Sequence, residues 1–192
     1  MKRKVGLICM GSRENRPNWT DFISPLEPEL DVEMLGVLDD LTEAEVEAQF
    51  SFAPGENYIV TEMPWGSTVH ISEEKAKAVV LRRAQEHFAN GADTVLVLCT
   101  GDFDRPQVQG KLFLLPEDLM FGILSGLRQK RMGFIVPEPD QIPSSLAHYA
   151  DLNPVIKASS PYGSMEDLAR TASSRGIARY SGFLSDREQD LA

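Results

Sequence analysis

The sequence predicts an α/β fold built on a mostly parallel sheet. Two observations carry this. Short apolar runs alternate with stretches of helical periodicity through most of the 192 residues. Several of those runs are apolar at every position, as in strands covered on both faces. Neither a tandem repeat nor a low-complexity linker interrupts the alternation.

Lys4–Met10 reads as the first buried strand, closed by Gly11-Ser12. Asn18–Leu26 is expected to be helical, with Pro17 near its start. Val32–Val37 follows as a strand. Thr42-Glu-Ala-Glu45 is a capping box for a helix from Glu43 to Gln49. Tyr58–Met63 and Thr68–Ile71 flank Pro64-Trp-Gly66 and predict a hairpin or two short strands. The clearest helix spans Glu73–Asn90. Ser72 is its N-cap, Glu73 and Glu74 suit the helix dipole, and Gly91 stands at the stop. Ala76, Val79, Val80, Ala84 and Phe88 share one face of it.

Thr94–Cys99 is a continuous apolar run typical of a central parallel strand. Leu112–Leu115 is a short apolar piece. Pro116 opens a helix expected to reach Lys130. Met132–Val136 is a strand, Ser144–Ala150 a helix and Val155–Ala158 a strand. Ser164-Met-Glu-Asp167 caps a last helix, to about Ser174. A lobe boundary is expected near Pro137–Ile142, giving residues 1–137 and 138–192.

Composition narrows the function classes. Hydrophobic residues make up 42% and charged residues 25%, within the ordinary globular range. The net charge of −10 and a pI near 4.8 disfavour nucleic acid and anionic lipid. No apolar run approaches the roughly 20 residues that span a bilayer. Val5–Met10 is too short for the core of a secretory signal. Cys9 and Cys99 do not make a disulfide framework, so the cytoplasm is the expected compartment. His70, His87 and His148 lack metal-ligand spacing, and no metal is expected.

Chemistry concentrates in Val97-Leu-Cys-Thr-Gly-Asp-Phe103. Ligands of open parallel sheets bind outside the carboxyl ends of the strands. Cys99 stands at such an end. Gly101 lets backbone N–H groups approach an anion. A thiol there becomes a base or nucleophile if amides or a cation favour the thiolate. The plain alternative is a cysteine that ends a core strand. Cys9 reads as core. Gly11 and Ser12 offer a turn and a ligand-facing hydroxyl at a second strand end. Glu138, Asp140 and Gln141 follow a third strand and read mainly as solvated. Trp19 and Trp65 read as packing anchors. GxGxxG, GxxxxGK[ST] and GxSxG are all absent.

Several segments together resemble the AroM family. They are Val5–Ser12, Leu35–Thr42 with Glu45, Pro54–Glu56, Ile59–Thr61, Val69–Ser72, Gly91–Asp93, Leu98-Cys-Thr-Gly-Asp-Phe103, and Gly133–Pro137 with Gln141. The resemblance runs over roughly residues 4–160. That family is similar to the aspartate, glutamate and hydantoin racemases, arylmalonate decarboxylases and maleate isomerases. The resemblance implies flavodoxin-like, racemase-type lobes with a cysteine from each facing a small carboxylate. It implies that Cys99 takes the first-lobe cysteine position. Gly11, Ser12, Thr100, Gly101 and Pro137 are then expected along the carboxylate-binding wall. It implies no cofactor, and leaves room for a homodimer.

Two departures stand out. Arg179-Tyr-Ser-Gly-Phe183 has no cysteine where the family has one in its second lobe, and Glu62 stands where an arginine is usual. With the chain ending at Ala192, the second lobe is expected to be shortened. Two-base racemisation needs a thiol on each face of the α-carbon. The expected function is therefore an AroM-like protein of unsettled activity. One form is a thiol-dependent isomerase or racemase-like enzyme on a small carboxylic or amino acid. The other is a non-catalytic small-carboxylate binder or regulatory protein.

Overall fold

The computed structural model describes residues 2–126 and 132–173. The chain divides between Phe121 and Gly122 into two compact units. In the first unit, β1 (Arg3–Cys9), β2 (Leu30–Gly36), β5 (Thr94–Val97) and β6 (Leu112–Leu114) form one sheet in the order β2-β1-β5-β6. All of its pairs are parallel, which makes the unit flavodoxin-like. β3 (Tyr58–Glu62) and β4 (Thr68–Ser72) form a separate antiparallel hairpin, as expected.

The carboxyl halves of β1 and β2, and β5, are largely apolar because both faces of the sheet are covered there. Successive residues of β1 point to opposite sides. Ile8 and Met10 join a large cluster with Val37, Val80, Phe88 and Val97. Leu7 and Cys9 join a smaller one with Ile23 and Met34. The large cluster is built by α2 (Glu43–Phe50), the hairpin and α3 (Glu73–Ala89). The smaller one receives α1 (Thr20–Ile23).

The helices with local start signals begin where their caps predict. The Thr42 side chain accepts from the Glu45 amide, and the Glu45 side chain answers at the Thr42 amide. Ser72 Oγ accepts from the Lys75 amide at 3.3 Å. Gly91 follows the C-cap residue Asn90 with φ +90°.

Through α4, three elements depart most from their expected bounds, while β1 and β2 are displaced by one or two residues. The helix expected over Asn18–Leu26 is a 3-10 turn at Arg13–Trp19 followed by the single turn of α1. Pro25 has no N–H to donate back to Asp21, so α1 cannot extend. β5 ends at Val97 and not at Cys99. The last ladder bond runs from Leu98 N to Ile8 O at 2.7 Å, and the chain then bends. α4 (Pro116–Ser125) closes in a turn where Gly126 N bonds Ile123 O at 3.1 Å, and residues 127–130 of the expected helix lie outside the described residues.

In the second unit, β7 (Gly133–Val136) pairs in parallel with β8 (Val155–Ala158). Between them lies α5 (Ile142–His148), flanked by 3-10 turns at Pro139–Gln141 and Ala150–Leu152. The expected bounds of α5 were Ser144–Ala150. The helix starts earlier because the Pro139–Gln141 turn feeds into it, with Pro143 in its first turn. It ends at His148, where the Tyr149 amide bonds Ser145 O and the next bonds are of the 3-10 type. α6 (Met165–Ser173) begins after Ser164, whose Oγ accepts from the Asp167 amide at 3.1 Å.

Candidate functional site

The strand order places a topological switch between β1 and β5. From β1 the chain goes first to β2 on one side and later to β5 on the other. Connections diverge at such a point and leave a crevice at the carboxyl edge. Two segments leave the sheet there, Met10–Ser12 after β1 and Leu98–Gly101 after β5. Gly11, Ser12, Cys99, Thr100 and Gly101 therefore come to one edge, as their positions after two strands predicted.

Their individual roles are more internal than expected. Gly11 is needed by the protein itself. A Cβ there would come within 2.7 Å of the Glu62 carbonyl oxygen and 2.9 Å of Asn15 Nδ2. The hairpin thus lies against the end of β1, tied by Asn15 Nδ2 donating to the Glu62 carbonyl. Ser12 is buried. Its hydroxyl donates to Asp39 Oδ1 at 3.4 Å and accepts from the Glu14 amide at 3.2 Å.

Asp39 is the residue that sequence reasoning missed. Its side chain is fully buried, at 0% exposure. The Gly36 amide donates to Oδ2 at 2.8 Å and the Arg13 amide to Oδ1 at 2.6 Å. Arg13 Nε lies 2.8 Å from Oδ2, and Arg83 of α3 reaches the same oxygen at 3.7 Å. Arg83 Nε also donates to the Gly36 carbonyl at 3.1 Å. A buried carboxylate needs such charge-assisted partners to offset lost hydration. A groove of about 470 Å³ opens beside this cluster, lined in part by Leu41, Phe50, Val79 and Arg83. Another of about 560 Å³ lies at the amino edge, around Lys4, Asp31 and Gly91. Cys99 lines neither.

Cys99 is half-buried and packs on the large apolar cluster, whereas Cys9 is buried on the other face. Burial pushes the Cys99 thiol up to about 11. The backbone amides of Gly101 and Thr100 face the sulfur and pull the other way. The charges of Glu73 and Glu117 oppose a thiolate. Glu73 opens α3, and Glu117, in the first turn of α4, is only 7% exposed. Desolvation and like charge win over the amides, so Cys99 holds its proton at neutral pH. Burial and then Asp39 push Cys9 to about 12. Among the described residues, no group of three or more His, Cys, Asp or Glu side chains could hold a metal ion.

The chain matches the family model described as AroM protein over residues 5–178. It belongs to the AroM family. The match extends past residue 160, where the resemblance in the segments above runs out. No curated protein matches the chain. In this AroM protein, Pro137 follows β7 and belongs to the second unit. Glu138 and Gln141 frame the turn after it, where the Glu138 amide donates to Gln141 Oε1 at 3.3 Å. Glu62 closes β3, and its carbonyl serves the Asn15 contact. The cysteine-free stretch at 179–183 lies outside the described residues. No helix among the described residues is long and apolar enough to cross a membrane.

Proposed function

We propose that this AroM-family chain binds a small carboxylate of the amino-acid type at the carboxyl edge between β1 and β5, with Cys99 beside it as a protonated thiol. The observation that carries this reading is the balance at Cys99. Two amides turn toward its sulfur, while Glu73 and Glu117 oppose negative charge there. A ligand that brought only carboxylates would add to that opposition. An ammonium group near the two glutamates would relieve it, leaving the carboxylate for backbone amides and the Ser12–Arg13 side of the edge. A cytoplasmic setting, where thiols stay reduced, belongs to the same reading.

The amides of Thr100 and Gly101 favour a second reading, a thiol-dependent isomerase or racemase-like enzyme. The ligand's ammonium would lower the Cys99 pKa and release a thiolate. That thiolate would take the α-proton, forming S–H as C–H breaks. The developing charge would rest on the carboxylate as an enediolate, held by backbone amides.

The test is the alkylation rate of Cys99 against pH in Cys9→Ser protein, alone, with L-aspartate and with succinate. The free protein is expected to show a midpoint near 11. Aspartate should shift it downward, and succinate should not. A midpoint at the free-cysteine value of about 8.5, indifferent to both compounds, would sink the site. Exchange of the aspartate α-proton in D₂O then separates the readings: exchange means enzyme, and protection without exchange means binder.

A further inference from the structure

His87 stands in the last turn of α3 and is fully buried. Its ring occupies the space that a side chain at residue 6 would need. A Cβ on Gly6 would come within 2.4 Å of it. Nε2 lies 3.1 Å from the Leu7 carbonyl oxygen. A carbonyl only accepts, so Nε2 carries the proton and Nδ1 of the neutral ring has a bare lone pair. Nδ1 faces Glu33 Oε2 of β2 at 3.6 Å. Both atoms are buried; Nδ1 has no hydrogen-bond partner, whereas Oε2 is already paired with the Lys4 ammonium. A lone pair pointed at a carboxylate oxygen is an unfavourable contact that one proton converts into a charged hydrogen bond.

The charged groups around the ring are few. From β1, Lys4 Nζ lies 2.9 Å from the same Glu33 oxygen. From β2 comes Glu33 itself. From α3 come Glu86, which pairs with Arg83 at 2.9 Å, and Arg83. β5 (Thr94–Val97) carries no titratable side chain. Arg83 precedes His87 by one helical turn and holds both Asp39 and the Gly36 carbonyl at the carboxyl edge.

We propose that His87 is a proton-operated clamp between α3 and the sheet. A proton on Nδ1 draws Glu33 onto the ring and away from Lys4, and the shift is passed through Arg83 to Asp39 and Gly36. Protons thereby reach the edge that carries the candidate site without any titrating group in it. Burial outweighs Glu33 and holds the ring below the ordinary imidazole range. The unfolded chain therefore takes up this proton first. Stability contributed by the neutral ring is complete above pH ~6.5. It is lost as pH falls through the unfolded value toward the depressed folded one.

The test is a ¹⁵N NMR titration of the full chain, following the His87 ring, the Gly36 amide and Arg83 Nε. His87 should be the Nε2–H tautomer at neutral pH and titrate below pH ~6.5, with Gly36 and Arg83 moving at the same midpoint. Glu33→Gln should lower that midpoint by roughly one pH unit. Lys4→Met, which removes the rival cation, should raise it. A ring that stays neutral until the protein unfolds would overturn the clamp. So would a His87 titration that Gly36 and Arg83 do not follow, or a midpoint indifferent to both substitutions.

Discussion

Asp39, its side chain fully buried, is held by the Ser12 hydroxyl, two backbone amides and two guanidinium groups. Asp39→Ala would leave Arg83, whose side chain is 13% exposed, facing an empty space. Losing one partner of a buried pair costs about 3–5 kcal/mol, and urea unfolding of the variant should show a loss of that size. Gly11→Ala places a methyl 2.7 Å from the Glu62 carbonyl oxygen. Backbone cannot swing aside as a side chain can, so a loss of about 1–3 kcal/mol is expected in the same assay. These two residues also show what a sequence does and does not reveal. Gly11 and Cys99 stand directly after apolar runs, and their position alone marks the edge. Asp39 looks like any acidic loop residue. Its partners come from Arg13, 26 positions earlier, and from a helix beyond the hairpin. Only the fold brings them together.

Elements were legible where their signals are local. The caps of α2 and α3 act within three residues, and both helices start at the expected positions. β8 has the expected bounds because apolar residues fill it and turns close it. The end of β5 was not legible, since Leu98 and Cys99 are as apolar as the strand before them. The last bond to β1 is made by Leu98, and the Thr100 and Gly101 amides turn toward the Cys99 sulfur. α1 and α5 were misjudged for a related reason. Their ends depend on proline positions and 3-10 bonds, to which helical periodicity is blind. The cap of α3 gives a test at this scale. Ser72 is buried and serves the Lys75 amide, so Ser72→Ala should cost about 1 kcal/mol in thermal or urea unfolding.

At the scale of the molecule, the four-stranded sheet and both apolar clusters lie wholly in the first unit. A fragment of residues 1–126, which keeps α4 intact, should therefore unfold cooperatively by itself. Circular dichroism against urea checks this, and a broad or absent transition would show that the sheet needs the rest of the chain. The net charge of −10 acts on the whole surface. It favours a dispersed, monodisperse solution and keeps polyanions off. The full chain should pass a heparin column unretained at low salt.

The hairpin has an optical consequence. Trp65 sits at its tip, 50% exposed, with Nε1 donating to Ser67 Oγ at 2.6 Å. The other tryptophan, Trp19, is packed against the smaller apolar cluster. Light emission from the two indoles should separate into a quencher-accessible, red-shifted part and a shielded, bluer part. Because the hairpin's backbone rests on Gly11, anything that wedges the crevice open displaces the accessible emitter and leaves the other as an internal reference. The protein thus carries a built-in two-colour gauge of its own edge, readable with a neutral quencher and no label.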